Sequence, residues 1–359
     1  MSSDSPSSEV RIAVIGAGGV VKTKHLPGFA AIPGVKIVGI CNQKRESSAK
    51  VARDYSIPKI YRSWEQAIDD DDVDAIVVGT WPYLHCPVTL AALDAGKHVL
   101  TQARMAMNSR EAQRMHDRAV ELPELTTMLA PTHYGLTGDR YLRSLIDSGY
   151  LGTLREVHAQ GLTSDLADPK LPLGWRQMTK YSGFNTLTIG SLHETVLRWV
   201  PEANRVVAFA SKLIPKRFDP ETAEVARVGT SDSVQVLTTQ EDGSIGAYRF
   251  SGVVHHGGGL KVELYGSRGT LVYDLTKDEI RGSQRNEANL EVLPIPDAMR
   301  GGWQVEAEFI ASIRGEGQVT RNPFSIGVKY MQFTEAVARS SRHQHAVILP
   351  LKEFSNPGL

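Results

Sequence analysis

Apolar and polar residues follow different periodicities in the two halves of the chain. In the first half, short apolar runs rich in β-branched residues, at 10–15, 35–40 and 75–78, alternate with amphipathic stretches. Short, wholly apolar strands separated by helices are typical of a parallel sheet that is covered on both faces. The pattern therefore predicts an α/β fold whose first part is a doubly wound parallel sheet.

From Leu154 onward the pattern changes to strict alternation. Residues 155–159 and 233–237 alternate polar and apolar side chains, and Asp242-Gly243 is a hairpin signal before the run 246–250. Alternation indicates a sheet with one buried and one polar face. The pattern therefore predicts that the second half of the chain contains such a sheet, with at least one hairpin. The expected organisation is a flexible tail over 1–9, a first domain over 10–130 and a second domain over 131–359.

The first apolar run leads into clustered glycines. Gly16 permits a tight turn, Gly18 lets the backbone approach a pyrophosphate, and a helix start follows with free N–H groups. The third glycine of the G-x-G-x-x-G pattern is replaced by Val21, so a plain strand-to-helix turn is the alternative. The favoured interpretation is a Rossmann-type dinucleotide site. Its expected cofactor contacts in this turn are Gly16, Gly18, Gly19, Val20 and Val21.

The end of the second predicted strand bears on the choice of dinucleotide. An acidic residue there would bind the ribose 2′-hydroxyl of NAD, but this chain has Asn42, followed closely by Lys44 and Arg45. A missing carboxylate and two cations favour a 2′-phosphate. We therefore expect NADP in preference to NAD, the alternative being that the two cations are a solvated helix start.

Composition narrows the partners. The 359-residue chain has 40 Lys and Arg against 40 Asp and Glu, which gives no electrostatic footprint for nucleic acid or an anionic membrane. The polar start lacks the basic and apolar regions of a secretory signal, and no apolar run is long enough for a transmembrane helix. Cys41 and Cys86 lie in or beside apolar runs, as buried free thiols do. We expect a cytoplasmic protein with a small-molecule partner and no metal.

Several stretches further along the chain carry a wider resemblance. The loop after the predicted strand 75–78 contains Thr80-Trp81-Pro82 and His85, which we expect to lie beside the cofactor. Residues 92–100 read Ala-Leu-Asp-Ala-Gly-Lys-His-Val-Leu. With the glycine turn, the motif at 265–271 and the helical segments 309–314 and 330–337, these stretches resemble the glucose-fructose oxidoreductase / inositol dehydrogenase / MocA (Gfo/Idh/MocA) family. The resemblance covers roughly residues 10 to 350. It implies a doubly wound nucleotide-binding domain and a C-terminal α+β domain with a large open, mainly antiparallel sheet. The second domain would serve substrate binding and oligomerisation, in a homodimer or homotetramer.

The chain departs from this family at its catalytic signature. Relatives carry Glu-Lys-Pro after the fifth strand, and their lysine shuttles the substrate hydroxyl proton. Here the positions read Gln102-Ala103-Arg104, and alanine cannot transfer a proton. We expect Gln102 to contact the cofactor and Arg104 to hold an anion or an oxygen in place of the lysine.

A second family signature, Asp-x-Gly-x-His on a helix, is also altered. Thr188 stands at the aspartate position and Leu192 at the histidine position, while His193 is displaced by about 100° of helix rotation. His193 is the best remaining candidate base, because its ordinary pKa suits proton exchange and small residues such as Gly190 on its helix face would leave room for a ligand. The alternative is a core histidine satisfied by a neighbour. The other residues expected at the substrate are the catalytic candidate Lys180 and the contacts Arg176, Tyr181, Asn185, His133 and Tyr134.

These features favour an NAD(P)-dependent oxidoreductase that acts on a sugar, cyclitol or related cyclic polyol. One alternative is an enzyme that retains its nucleotide and uses transient oxidation for a lyase, hydrolase or epimerase reaction. Another is a non-catalytic protein that senses nucleotide and sugar, which the missing lysine and aspartate would suit.

Overall fold

The chain forms two compact units. The computed structural model describes residues 9–130 and 135–353. The first unit contains the described residues up to 130 and also Gln304–Val328, and the second contains residues 135–303 and 329–353. The sequence-based division at residue 131 did not anticipate that 304–328 returns to the first unit. Residues 1–8 of the expected tail and the predicted substrate contacts His133 and Tyr134 lie outside the described residues.

A six-stranded parallel sheet forms the centre of the first unit. Its strands are β1 (Val10–Ile15), β2 (Val35–Cys41), β3 (Lys59–Ile60), β4 (Ala75–Val78), β5 (His98–Thr101) and β6 (Thr127–Leu129). They lie in the order β3-β2-β1-β4-β5-β6. All four residues of β4 are fully buried, as expected for a central strand with helices on both faces. The predicted doubly wound sheet is confirmed, and its strand order reverses between β1 and β4, where such sheets bind ligands.

Two helices of the first unit begin at a residue whose side chain caps the helix. The helices that precede β6 are α1 (Leu26–Ala30), α2 (Arg45–Asp54), α3 (Trp64–Ile68), α4 (His85–Asp94) and α5 (Ser109–Glu121), with a π-helical segment at Val21–His25 and a 3₁₀ turn at Pro82–Leu84. The side-chain oxygen of Asn108 accepts from the backbone N–H of Glu111 at 2.9 Å, and Ser63 caps α3 in the same way.

A nine-stranded sheet forms the centre of the second unit. The strands are β7 (Leu154–Leu162), β8 (Ala203–Ser211), β11 (Ser233–Gln240), β12 (Ile245–Ser251), β13 (Gly259–Gly266), β14 (Gly269–Asp274), β15 (Glu279–Gln284), β16 (Glu291–Val292) and β17 (Val347–Ile348), with a separate hairpin of β9 (Lys216–Asp219) and β10 (Glu224–Arg227). The strands of the large sheet run in the order β16-β15-β14-β13-β7-β12-β11-β8-β17. Among the described strand pairs of this sheet only β7–β12 is parallel, so the prediction of a mainly antiparallel sheet is confirmed.

The helices after α5 are α6 (Asp139–Asp147), α7 (Thr179–Ser182), α8 (Ile189–Val196), α9 (Val305–Ile313) and α10 (Phe324–His343), with 3₁₀ turns at Trp175–Gln177 and Asp297–Met299. Helix α8 packs on one face of the large sheet. Every residue of α8 is buried, and its apolar side chains share a core with Val234, Val236 and Phe250 of the sheet. In the part of the chain that is described, no helix is both long and apolar enough to cross a bilayer.

Candidate functional site

The glycine turn lies at the carboxyl end of β1, beside the loop that follows β4. Gly16 has a positive φ of 87°, and a Cβ there would lie 2.7 Å from the backbone nitrogen of Thr80. Only glycine allows the two backbones to approach so closely. By contrast, a Cβ at Gly19 would meet nothing within 4 Å, and one at Gly18 would meet only the Gly79 oxygen at 3.8 Å. The turn therefore leaves open space beside an exposed backbone at the point where the strand order reverses.

The side chain of Val21, a predicted cofactor contact, packs inside the first unit. It is 1% exposed, and one of its methyl groups packs close to Gly79. The glycine that the sequence pattern lacks at position 21 is thus compensated by glycine at 79, which makes room for the valine. Val21 can offer only its backbone to a cofactor, whereas Val20 is half-buried.

Asn42 connects the end of β2 to the turn. Its side-chain oxygen accepts from the backbone N–H of Ala17 at 2.7 Å, and its side-chain nitrogen donates to the hydroxyl of Ser47 at 3.0 Å. Lys44 is the N-cap residue of α2 and Arg45 is its first residue, and both side chains are exposed. The residues expected to select the adenosine ribose therefore lie together at the strand ends of β1 and β2.

The loops after β4 and β5 are joined by His85. Its Nε2 lies 2.9 Å from the carbonyl oxygen of Thr80, and its Nδ1 lies 2.9 Å from that of Arg104. The side chain is buried, and this burial lowers the pKa of the imidazole. His85 therefore connects the two loops through their backbone carbonyl groups. Pro82 is buried, while Thr80 and Trp81 are half-buried.

Gln102, Ala103 and Arg104 are all half-buried at the end of β5. The backbone N–H of Gln102 donates to the Val78 oxygen at 2.9 Å, which extends the ladder between β4 and β5 by one residue. The carboxamide nitrogen of Gln102 contacts Nε2 of His25, and Nδ1 of that histidine contacts the carboxylate of Glu306.

His25 and Glu306 were not identified from the sequence. His25 is 0% exposed and Glu306 is 3% exposed. The available signal was helical periodicity, because Glu306 shares the apolar stripe of α9 with Phe309, Ile310 and Ile313. A carboxylate on a buried helix face requires a polar partner.

The environment of His193 in the second unit argues against the predicted proton transfer. The residue is 3% exposed, its ring stacks on Phe333 and lies near Tyr248, and burial lowers its pKa to about 3. The expected room beside Gly190 is taken by α10, since a Cβ there would lie 2.8 Å from the hydroxyl oxygen of Thr334. His193 has the surroundings of a core histidine, and Leu192 beside it is also fully buried.

The other predicted substrate residues that the structure describes lie in and after the 3₁₀ turn at Trp175–Gln177. Arg176 lies over the ring of Trp175 at 4.3 Å, and Lys180 lies over the ring of Tyr181 at 4.6 Å. The contact with Tyr181 raises the pKa of Lys180, which favours the charged ammonium. Asn185 is buried, and its side-chain nitrogen donates to the carbonyl oxygen of Ser182 at 2.8 Å.

Comparison with known proteins identifies both halves of the chain. Residues 10–128 match the model of the oxidoreductase family with an NAD-binding Rossmann fold, and residues 140–272 match the GFO/IDH/MocA C-terminal domain.

Individual relatives agree with this assignment. Levoglucosan dehydrogenase from Pseudarthrobacter phenanthrenivorans is 24% identical over 299 residues, covering 76% of this chain and 75% of the relative. Myo-inositol 2-dehydrogenase from Thermotoga maritima is 24% identical over 272 residues, covering 75% and 76%. A solved levoglucosan dehydrogenase in complex with NADH and L-sorbose shares the fold, with a TM-score of 0.85, 22% identity and coverage of 96% of this chain and 99% of that one. The chain therefore belongs to the Gfo/Idh/MocA family of oxidoreductases.

Proposed function

We propose that this protein is an NAD(P)-dependent oxidoreductase that transfers hydride between nicotinamide and a hydroxyl-bearing carbon of a sugar, cyclitol or related cyclic polyol. The observation that carries the proposal is the open space beside Gly18 and Gly19 at the reversal of strand order. Loops from β2, β4 and β5 converge on the same edge of the sheet. The names of the two dehydrogenase relatives motivate the substrate class.

The bound dinucleotide would supply the hydride acceptor or donor. Oxidation of an alcohol carbon also requires the hydroxyl proton to leave. Ala103 cannot take that proton, and the guanidinium of Arg104 keeps its own protons at all physiological pH values. In this proposal the hydroxyl proton passes to solvent water, and we assign Arg104 to binding the substrate oxygen and stabilising negative charge on it.

Substrate recognition is assigned to the second unit. The guanidinium of Arg176 lies against the ring of Trp175, and the ring of Tyr181 lies beside the ammonium of Lys180. Polar groups beside aromatic rings are suited to binding a ring that carries several hydroxyl groups. Lys180 would act as a fixed cation. Asn185 shapes the turn before α8, and His133 and Tyr134 stay predictions from the sequence.

NADP is the preferred cofactor in this proposal, with NAD as the alternative. Asn42 brings no negative charge to the ribose end of the site, and Lys44 and Arg45 are exposed beside it. Two cations without a competing carboxylate favour a 2′-phosphate.

We also propose a homodimer or homotetramer in the cytoplasm. The sheet face opposite the helices exposes Phe209 by 69%, Leu237 by 59% and Ile245 by 54%. Strand pairing places these side chains on one face. A second copy of the chain would cover this apolar surface. Reduced, buried Cys41 and Cys86 fit a cytoplasmic location.

The proposal is tested by measuring the affinity for NADH and NADPH and then screening sugars, cyclitols and diols. The reduced nicotinamide is followed by absorbance and the products by mass spectrometry. We expect turnover of at least one polyol with a matching change in nicotinamide absorbance. Product formation without net absorbance change would instead support a retained nucleotide, and tight nucleotide binding without any product would support a sensing role.

A matched variant checks the location of the nucleotide. Gly19→Leu places a side chain in the open space beside the turn, where a Cβ meets no protein atom within 4 Å. We expect dinucleotide binding to weaken by at least about a hundredfold, while the thermal midpoint stays within a few degrees of wild type. Unchanged binding would place the nucleotide elsewhere.

A further inference from the structure

A buried polar chain runs from the returning segment to the end of β5, entirely within the first unit. The carboxylate of Glu306 on α9 contacts Nδ1 of His25, and Nε2 of His25 contacts the carboxamide nitrogen of Gln102. His25 and Glu306 are almost fully shielded from water, while Gln102 is half-buried. The chain therefore connects the interior of the unit to one side chain at the predicted cofactor site.

The chemistry of the three groups gives the chain a direction. A carboxylate oxygen accepts hydrogen bonds, so Nδ1 of His25 donates to Glu306. The carboxamide nitrogen of Gln102 is a donor, so Nε2 of His25 accepts from it. One neutral tautomer of the imidazole satisfies both contacts. Because an amide is planar, the carboxamide oxygen of Gln102 then lies on the side away from His25.

Packing holds the pair in place. The ring of His25 stacks on Phe29, with centroids 6.2 Å apart. One turn along α1, a Cβ at Gly28 would lie 2.8 Å from the carboxyl carbon of Glu306, so glycine makes room for the carboxylate. The contact between His25 and Glu306 is therefore part of the buried packing between α1 and α9 and is not a surface contact.

Gln102 lies on the nicotinamide side of the predicted site. Asn42 at the end of β2 marks the adenosine side, and β5 lies on the other side of the β1–β4 reversal point. We propose that His25 and Glu306 are positioning residues that hold the Gln102 carboxamide in one orientation for the nicotinamide half of the dinucleotide. This inference rests on the proposed function.

The test compares two ligands that differ at the nicotinamide. Calorimetry gives the dissociation constants of NADH and of ADP-ribose, which lacks the nicotinamide ring. For His25→Asn, whose short side chain cannot reach both partners, we expect about tenfold weaker NADH binding and ADP-ribose binding within about twofold of wild type. For His25→Gln, which extends an amide toward the Nε2 position, we expect NADH binding within about threefold.

A mutant cycle separates positioning from general damage. Gln102→Leu, at a half-buried position, is expected to show the same selective loss of NADH binding, and adding His25→Asn to it is expected to cost nothing further. Ser312→Ala is the matched control, because its hydroxyl oxygen, 3.1 Å from that of Thr126, also ties the returning segment to the sheet. We expect this control to leave the ratio of the two dissociation constants unchanged.

Each outcome has one meaning. Equal losses for NADH and ADP-ribose, or additive effects of the two substitutions, would overturn the positioning role and leave the proposed function intact. If wild-type protein bound none of NADH, NADPH and ADP-ribose, the proposed function itself would fail. Should His25→Asn not fold, the Gln102→Leu variant and His25→Gln still decide the matter.

Discussion

The imidazole of His193 lies flat against the ring of Phe333, with centroids 3.6 Å apart and an interplanar angle of 6°. Helix α10 thereby closes the face of α8 that the sequence suggested was open to a ligand. A histidine held in this way contributes to the core, and its titration affects stability.

The buried His193 should make the protein less stable in mild acid. Its pKa is lowered from 6.5 to about 3, so between these values the unfolded chain binds a proton that the folded chain does not. Stability therefore rises with pH through this window and is lost as the pH falls below 6.5, by about 1.4 kcal/mol per pH unit from this group. Urea unfolding of wild type and His193→Leu at several pH values measures the difference in stability, whose dependence on pH should vanish above pH 7.

A control and a kinetic measurement accompany this prediction. Leu271→Ala removes a buried apolar side chain of β14 without a titrating group, so its cost should be the same at every pH in the window. Polyol turnover by His193→Leu at neutral pH should persist. Loss of turnover in a stably folded variant would restore His193 as the base.

Charge at position 42 should control the choice between the two dinucleotides. Asn42→Asp keeps an oxygen that can accept from the Ala17 N–H and adds a negative charge near the adenosine ribose. We expect the ratio of the dissociation constants for NADPH and NADH to shift about tenfold or more toward NADH. Ser47→Ala, which removes only the hydroxyl that accepts from the Asn42 side chain, should leave the ratio unchanged. An unchanged ratio in Asn42→Asp would show that the ribose lies elsewhere.

Arg217 should be needed to order the segment that precedes the predicted substrate residues. It is 2% exposed, and its guanidinium donates to the carbonyl oxygens of Asp168 at 2.7 Å and Leu171 at 3.2 Å, and to that of Leu166. Arg217→Met leaves these oxygens without this donor and should cost about 3 kcal/mol of unfolding free energy.

Hydrogen exchange locates that effect. Amides between 166 and 173 should exchange faster in Arg217→Met, while the exposed neighbour variant Lys216→Met should match wild type. Uniformly faster exchange across the second unit would mean that Arg217 supports the whole unit and not this segment.

Local sequence patterns and the family resemblance together predicted the type of both sheets. Runs such as Ala75–Val78 are typical of a central parallel strand, and the Asp242-Gly243 turn connects β11 to β12 as predicted. The glycine turn was also correctly placed, because Gly16 meets a steric requirement that no other residue satisfies.

The sequence could not show what covers each helix. Periodicity indicates that one face of α8 or α9 is buried, but the partner comes from a distant part of the chain. His193 meets Phe333 on α10, and Glu306 meets His25. Both relationships span more than a hundred residues, so neither leaves a local signal. The same limit explains why the return of 304–328 to the first unit was missed.

That return sets the order in which the protein can be completed during synthesis. The first unit begins at the amino terminus, yet its buried His25 meets its carboxylate only after Glu306 has been made. The nascent first unit therefore lacks this contact while the strands of the second unit emerge. The part of the chain that is translated first gains one of its interior contacts only near the end of synthesis.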